Sequence, residues 1–367
     1  GGVDVKLHSK VERMFGDQIL QQARQVLESL DIKHALLEIE DSGALPFVIG
    51  ARIEAAAKQL RSSEKSWIPP VIEQNRYESH RERFRFSRLY LPGNTPSMML
   101  NAGIHRPDGI ILDLEDSVAP DRKAEARLLV RNALCQVDFY GAERMVRINQ
   151  LPAGLKDLNE VVPYQVHLVL LPKCEHAGQV EKVSERIQSI LKTHNQDREV
   201  YLMPIIESAL GVENAYEIAT ASDSVVAMAI GLEDYTADLG VKRSESGEES
   251  LYARTRLVNA CKAAGIQPID SVYSDVANME GLRKNVETSR SLGFEGMGCI
   301  HPRQVPVIQE AFLPTKEEID KASKIVEAFE QAAARGSGVV ALGSKMIDPP
   351  VVKRAQKTLE LARQLKS

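Results

Sequence analysis

The chain has 367 residues, enough for one large α/β barrel of about 250 residues plus a smaller unit. Its formal net charge of −5 gives no general basic field that would favour a nucleic-acid backbone or an anionic membrane, so any anion recognition must be local. Cys135, Cys174, Cys261 and Cys299 form neither a Cys-x-x-Cys pair nor a His-flanked cluster, which argues against structural zinc and, in so large a chain, for a reducing compartment, the cytoplasm.

No apolar run approaches the roughly 18 residues needed to span a bilayer, and GGVDVKLHSK lacks the apolar stretch of a signal peptide. The start on Gly1-Gly2 rather than Met points to an amino terminus that is trimmed or not represented. Val11, Met14, Phe15, Ile19, Ala23, Val26, Leu27 and Leu30 recur at helical spacing and predict an amphipathic helix. HALLEIE and ALPFVIG then read as two strands of a hairpin joined by Asp41-Ser42-Gly43, and ARIEAAAKQLR returns to helix. Helix, hairpin and helix make a small α+β module over 1–61, marginal alone by surface-to-volume scaling and expected to lean on something larger.

Residues 62–82 carry a Pro-Pro pair and no periodicity and read as a linker. The following RERFRFSR alternates Arg81, Arg83, Arg85 and Arg88 with Glu82, Phe84 and Phe86. It reads either as a solvated strand edge or as a docking site for the phosphates of a nucleotide-tailed ligand, whose geometry guanidinium forks match.

Eight short apolar runs follow: SRLYLPGN, GIILDLED, RMVRIN, HLVLLPK, VYLMPIIES, VVAMAIGLED, IQPIDSVY and GMGCIHPRQ, each separated by room for one helix. That repetition predicts a (β/α)8 TIM barrel over 83–312, in which chemistry is assembled at the carboxyl ends of the strands. Asn94, Glu115, Asp116, Arg147, Lys173, Glu207 and Asp234 would then look into one bowl. Beyond it, Thr315 and Glu318 have capping-box spacing, Gly336 is placed to end the helix they begin, and GVVAL and KMI flank Gly343-Ser344 as in a tight hairpin. Pro349 opens a last helix, so 313–367 reads as a hairpin-helix extension able to cover a bowl of the same subunit or of a neighbour.

Glu207 and Asp234 end adjacent predicted strands, which lie about 4.8 Å apart, so both carboxylates can approach one cation. One or two carboxylates plus water and substrate oxygens is the usual Mg²⁺ arrangement; the bland alternative makes one acid a helix cap and the other a solvated group. Arg147 beside such an ion would grip a dicarboxylate or α-keto acid, or else serve in a strand-end salt bridge with Glu115 or Asp116, which read as residues that orient it. Lys173 invites a Schiff-base mechanism, yet the surrounding acids should keep it protonated and favour charge balance. His301 is placed to cap a strand or touch substrate, and Gly296 and Gly298 to let backbone approach a phosphate. Asp348, just before Pro349, reads equally as an N-cap and as a carboxylate held on a lid for enolate chemistry.

LYLPGN, GIILDLEDSV, VRIN, LPK, IIES, GLEDYTADLG, IHPRQ and MIDPP together resemble the citrate lyase β-subunit group of the HpcH/HpaI aldolase superfamily, from Arg83 to the carboxyl end. VERMFGDQI and DSGALPFVIGARIEAA are similar to the citrate lyase γ subunit, an acyl carrier. The resemblance implies Mg²⁺ on Glu207 and Asp234, an oxo-acid on Arg147, and Asp348 as acid/base over a neighbouring subunit's bowl in a trimer or a multiple of it. Arg88, Glu115, Asp116 and Lys173 are expected around the substrate.

In the γ family the serine bearing the CoA-derived arm precedes the segment matching Gly1, so no attachment site is assigned here and Ser9 does not take that role. The implied reaction is carbon-carbon cleavage of a 3-hydroxyacyl thioester, citryl-CoA or a citryl carrier giving oxaloacetate and an acetyl thioester. Malyl-CoA or citramalyl-CoA cleavage and a non-catalytic carrier or scaffold role beside citrate lyase-type partner subunits are the alternatives.

Overall fold

The computed structural model describes residues 2–244, 246–334, 340–342 and 345–364. Its contacts divide the chain into Gly1–Val305 and Pro306–Ser367.

The amino-terminal module is β1 (Val3–Ser9), α1 (Glu12–Ser29), β2 (Ala35–Asp41) and α2 (Pro46–Leu60). β1 and β2 pair in parallel, Val3 opposite Ala35 through Ser9 opposite Asp41. The expected hairpin is therefore wrong: VDVKLHS is the missing strand and ALPFVIG opens α2. Pro46 occupies the first turn of α2, where its missing N–H costs nothing. Asp41 Oδ1 accepts from the N–H groups of Gly43 and Ala44, making the turn that leads into this helix rather than one that reverses a strand. Two parallel strands need a crossover, which α1 supplies, burying Ile19, Ala23, Val26 and Leu27 against Ile49 and Ile53 of α2.

α2 packs on the barrel helix Lys123–Gln136. There Glu54 and Arg131, both fully buried, meet at 2.6 Å and 3.2 Å, and Asn132 donates to Phe47 O at 3.1 Å. Residues 62–82 hold one short 3₁₀ turn, Glu73–Asn75, and otherwise run irregularly across this junction. Trp67 lies over Gly50, where a Cβ would meet its ring at 2.1 Å, and buried Asn75 donates to Leu134 O and Val137 O.

The eight apolar runs become eight parallel strands: β3 (Ser87–Pro92), β4 (Gly109–Asp113), β5 (Glu143–Arg147), β6 (Leu168–Leu171), β7 (Tyr201–Ile206), β8 (Ala227–Ile230), β9 (Gln267–Ile269) and β10 (Met297–Cys299). Their order is β10-β3-β4-β5-β6-β7-β8-β9, and a bridge between Asp270 and Met297 joins the two ends, so the sheet closes as a (β/α)8 barrel. Ile111, Met145, Leu168, Leu170, Met203, Ile205, Ala227, Ala229 and Ile269 fill its interior. All four cysteines are free and buried, and burial raises their thiols.

In the second unit, helix Lys316–Ala334 begins with the reciprocal Thr315–Glu318 cap, at 2.8 Å and 3.1 Å. β11 (Val340–Leu342) and β12 (Lys345–Ile347) pair antiparallel, and helix Pro349–Gln364 follows. Gly336 and the Gly343-Ser344 turn lie outside the described residues.

Candidate active site at the carboxyl ends of the barrel strands

Side chains alternate along a strand, so the position two beyond the last interior residue is the first to reach the barrel mouth. Ile111 is followed in this way by Asp113, Met145 by Arg147, Ile205 by Glu207 and Ala229 by Gly231. Asp113 and Arg147 are also direct partners in the β4–β5 register.

The Arg147 guanidinium grips Asp113 through two bonds, Nε to Oδ1 at 2.6 Å and Nη2 to Oδ2 at 2.7 Å. Its Nη1 lies 2.9 Å from Glu115 Oε2 and 3.5 Å from Asp116 Oδ2, and its Cζ is 5.5 Å from the centre of the Tyr90 ring. Burial opposes the Asp113 charge, but Arg147 outweighs it and holds the carboxyl below its ordinary value. Burial and then Asp116 push Glu115 up, against Arg147 and against Gln150 Nε2, which donates to Glu115 Oε1 at 3.0 Å. Lys123 Nζ donates to Leu114 O, Glu115 O and Asn149 Oδ1, tying together the loops after β4 and β5. Asp113 and Gln150 escape the motif-based reading, although the period-two alternation through Ile111 already points to Asp113.

Across the bowl, Lys173 has the left-handed φ of 47°, which turns its N–H onto Glu207 Oε2 at 2.8 Å, while its Nζ stands 3.5 Å from Asp234 Oδ1. One residue thus bridges both expected metal-binding carboxylates. Burial pushes Glu207 up to about 7; the Lys173 N–H opposes this and the Asp234 charge adds to it. Asp234, in the helix Leu232–Asp238, is half-buried. Partial burial works against the Lys173 charge, but Asp234, Glu115, Asp116 and Glu207 outweigh it and keep the amine protonated, which disfavours attack on a carbonyl.

Among the described residues no group of three or more His, Cys, Asp or Glu side chains could hold a metal. The pair Glu207 and Asp234 still suits a small hard cation: two carboxylates in electrostatic contact, one driven toward neutrality by burial and by the other, gain from a positive charge between them.

The expected phosphate-docking face does not form. Arg81 donates to Asp223 O and Val225 O, Arg83 to Asp108 O and Gly141 O, and Arg85 makes a two-bond pair with Glu143. Arg88 is 1% exposed inside the barrel, so it is not the surface fork its alternation with Glu82 and the phenylalanines predicted. Gly296 is likewise spent on packing, since a Cβ there would stand 1.9 Å from Arg85 O.

Asn94 lies in the loop after β3, where its Oδ1 accepts from Thr95 Oγ1. His301 follows β10, its Nδ1 accepting from Arg303 N at 3.1 Å, and it lines a cavity of about 490 Å³ with Tyr90, Asp113, Ser117, Met98 and Ile300. A larger cavity, about 620 Å³, lies in the amino-terminal module and includes none of these strand-end groups. Asp348 lies in the second unit, where its Oδ1 accepts from Val351 N at 3.2 Å and caps the last helix.

The protein-family description HpcH/HpaI aldolase/citrate lyase matches residues 87–302, and that of the malonate decarboxylase δ subunit matches residues 1–60. Citrate lyase subunit β of Leuconostoc mesenteroides subsp. cremoris is 39% identical over 284 residues, covering 77% of this chain and 94% of the relative. The mitochondrial citramalyl-CoA lyase of Mus musculus is 32% identical over 309 residues, covering 79% and 90%. The crystal structure of CitE from Mycobacterium tuberculosis with magnesium, acetoacetate and coenzyme A superposes with a TM-score of 0.65 at 30% identity, covering 77% of this chain and all of that one. With a family match spanning all eight barrel strands and relatives this similar over three quarters of its length, the chain belongs to the HpcH/HpaI aldolase/citrate lyase family.

Proposed function

We propose that the chain is a Mg²⁺-dependent carbon-carbon lyase of 3-hydroxyacyl thioesters, cleaving citryl-CoA or a citryl carrier to oxaloacetate and an acetyl thioester. The observation that carries this reading is the buried Glu207 facing Asp234 through Lys173, across the bowl from Arg147. Glu207 and Asp234 would hold Mg²⁺, which when bound would supply a fixed positive charge for the alkoxide formed as the substrate hydroxyl gives its proton to solvent, the alkoxide that collapses to the ketone as the carbon-carbon bond breaks. Arg147, kept oriented by Asp113 and Glu115, binds the oxo-acid portion and shares in that stabilisation. Lys173 sets the direction of the Glu207 carboxylate through its N–H and balances Asp234 through its ammonium. The cavity lined by Tyr90, Met98 and Ile300 offers an apolar path for the acyl-thioester arm. Asp348 is the acid/base of this reading, protonating the departing thioester enolate, and the family resemblance assigns it to a neighbouring subunit of a homotrimer or hexamer.

The relatives named for citrate lyase β support a place beside citrate lyase-type partner subunits; those named for citramalyl-CoA and malyl-CoA cleavage support these thioesters as the second reading. Calorimetry of Mg²⁺ binding to Glu207→Ala and Asp234→Ala tests the site: both should lose binding, and wild-type affinity in both would refute it. A metal-dependent cleavage screen over citryl-, malyl- and citramalyl-CoA, with products identified by mass spectrometry, separates the two readings.

A further inference from the structure

The cavity of about 620 Å³ in the amino-terminal module has the size of a binding site and no part in the chemistry at the barrel mouth. Leu27, Leu37, Ile53 and Ala57 give it apolar walls. Leu36 and Leu60 also line it, although they are 62% and 92% exposed, so the apolar surface continues out to its rim.

The backbone beside this cavity limits what can fill it. β1 and β2 form a sheet of two strands among the described residues, so β2 has one paired edge and one open edge. Ala35 N donates to Gly2 O at 3.2 Å, and Asp41 O accepts from Lys10 N at 3.2 Å. Alternate residues of a parallel strand bond to the same neighbour, so Ala35, Leu37, Ile39 and Asp41 turn toward β1. Leu36, Glu38 and Glu40 therefore turn their N–H and C=O groups to the open edge. Ala35, Leu36 and Leu37 all line the cavity, which places it along that edge. A ligand seated there dries the edge and must replace the hydrogen bonds that water makes to it. An acyl chain cannot do this, whereas another strand can.

Charge then sets a direction. The Lys65 hydrogen bond and the charges of Lys65, Lys33 and Arg61 hold Asp31 below its ordinary value, with Lys65 Nζ 3.3 Å from Asp31 Oδ2. Three cations thus gather around one carboxylate beside the amino end of β2, and Lys33, His34 and Arg61 line the cavity itself. Farther along β2, Glu38 and Glu40 stand on the exposed face. Two copies pairing β2 to β2 in antiparallel fashion would bring these glutamates together, which disfavours a second copy as the occupant.

We propose that the open edge of β2 takes up the extended carboxyl-terminal tail of a partner protein as a third strand, antiparallel to β2. Its alternate apolar residues enter the cavity, basic residues lie beside Glu38 and Glu40, and its acidic carboxyl end meets Lys33, His34 and Arg61. Main-chain pairing supplies affinity and the alternate side chains supply selectivity.

The probe is the peptide fluorescein-Lys-Val-Lys-Val-Ile-Val-Asp with a free carboxyl end, matched to the 7 residues of β2, and its binding to the full chain is read by fluorescence anisotropy. Wild type should bind it, and Lys33→Glu with Arg61→Glu, both on exposed residues, should weaken binding by about tenfold or more. Two N-methylated versions, one blocked on each alternate set of amides, separate strand pairing from side-chain contact. The set that faces β2 should cost about tenfold or more and the other set little. Hydrogen exchange over Ala35–Asp41 should slow when the peptide binds. No binding at millimolar peptide, equal affinity for the two N-methylated versions, or unchanged exchange in β2 each overturns the proposal. Each of those results leaves the lyase reading standing, since no strand-end residue of the barrel takes part.

Discussion

Glu207 Oε1 stands 2.6 Å from the point where a Cβ on Gly231 would lie. Gly231 is the inward mouth position of β8, so the absence of a side chain there is what gives the Glu207 carboxylate its place beside Asp234. Gly231→Ala is expected to push that carboxylate aside and lower Mg²⁺ affinity by about tenfold or more, as loss of ligand support generally does. A calorimetric titration checks this; full affinity would mean that the carboxylate does not need the space.

Asp113 holds Arg147 through both of its oxygens, and a bidentate clamp fixes direction as well as charge. Asp113→Asn should leave Mg²⁺ binding intact and cut kcat/KM for thioester cleavage by about 100-fold, the usual consequence of small misplacement at a reacting centre. A loss confined to KM would show that Arg147 contributes ground-state binding alone.

Glu54→Ala leaves Arg131 buried without its main counter-charge at the contact between α2 and the barrel helix. The expected cost is about 3–5 kcal/mol, read as a lower midpoint in urea. A wild-type midpoint would show that Glu160, 2.9 Å from Arg131 Nη1, carries the pair by itself.

His167 gives a pH signature. Its Nδ1 accepts the Arg144 N–H at 3.1 Å, its Nε2 lies 2.9 Å from Tyr77 O, and Arg144 Nη2 comes within 2.7 Å of the ring. Burial and then the Arg144 charge depress it from 6.5 to about 3, so the folded protein keeps it neutral over a range where the unfolded chain protonates it. Its contribution is therefore present in full above pH 6.5 and is lost as pH falls from there toward 3. His167→Gln should flatten the acid limb of the stability profile by up to about 1.4 kcal/mol per pH unit. Urea midpoints at several pH values within that window measure it, and parallel profiles for both proteins would remove His167 as the cause.

The barrel was legible because strands buried on both faces read as continuous apolar runs, and each run here ends where water begins. The motif residues at those ends, Arg147, Lys173 and Glu207, stand out for the same reason. The amino-terminal module was harder: VDVKLHS exposes every second residue and looks polar, while FVI in α2 is buried throughout and mimics a strand. Short apolar segments carry no period that separates strand from buried helix, so only the parallel pairing of β1 with β2 resolved the order.

The sequence by itself determined how many strands the barrel has and most of the chemical groups near their ends, since burial demands apolar runs and their ends must meet solvent. Only the tertiary structure decided which of several adjacent acids clamps Arg147, that Gly231 yields its space to Glu207, and that Arg88 turns inward between two glycines rather than outward to a phosphate. Those outcomes depend on side-chain parity and on what neighbouring strands leave empty. Neither is a property of one segment, because each is set by residues far apart along the chain that meet only when the sheet closes.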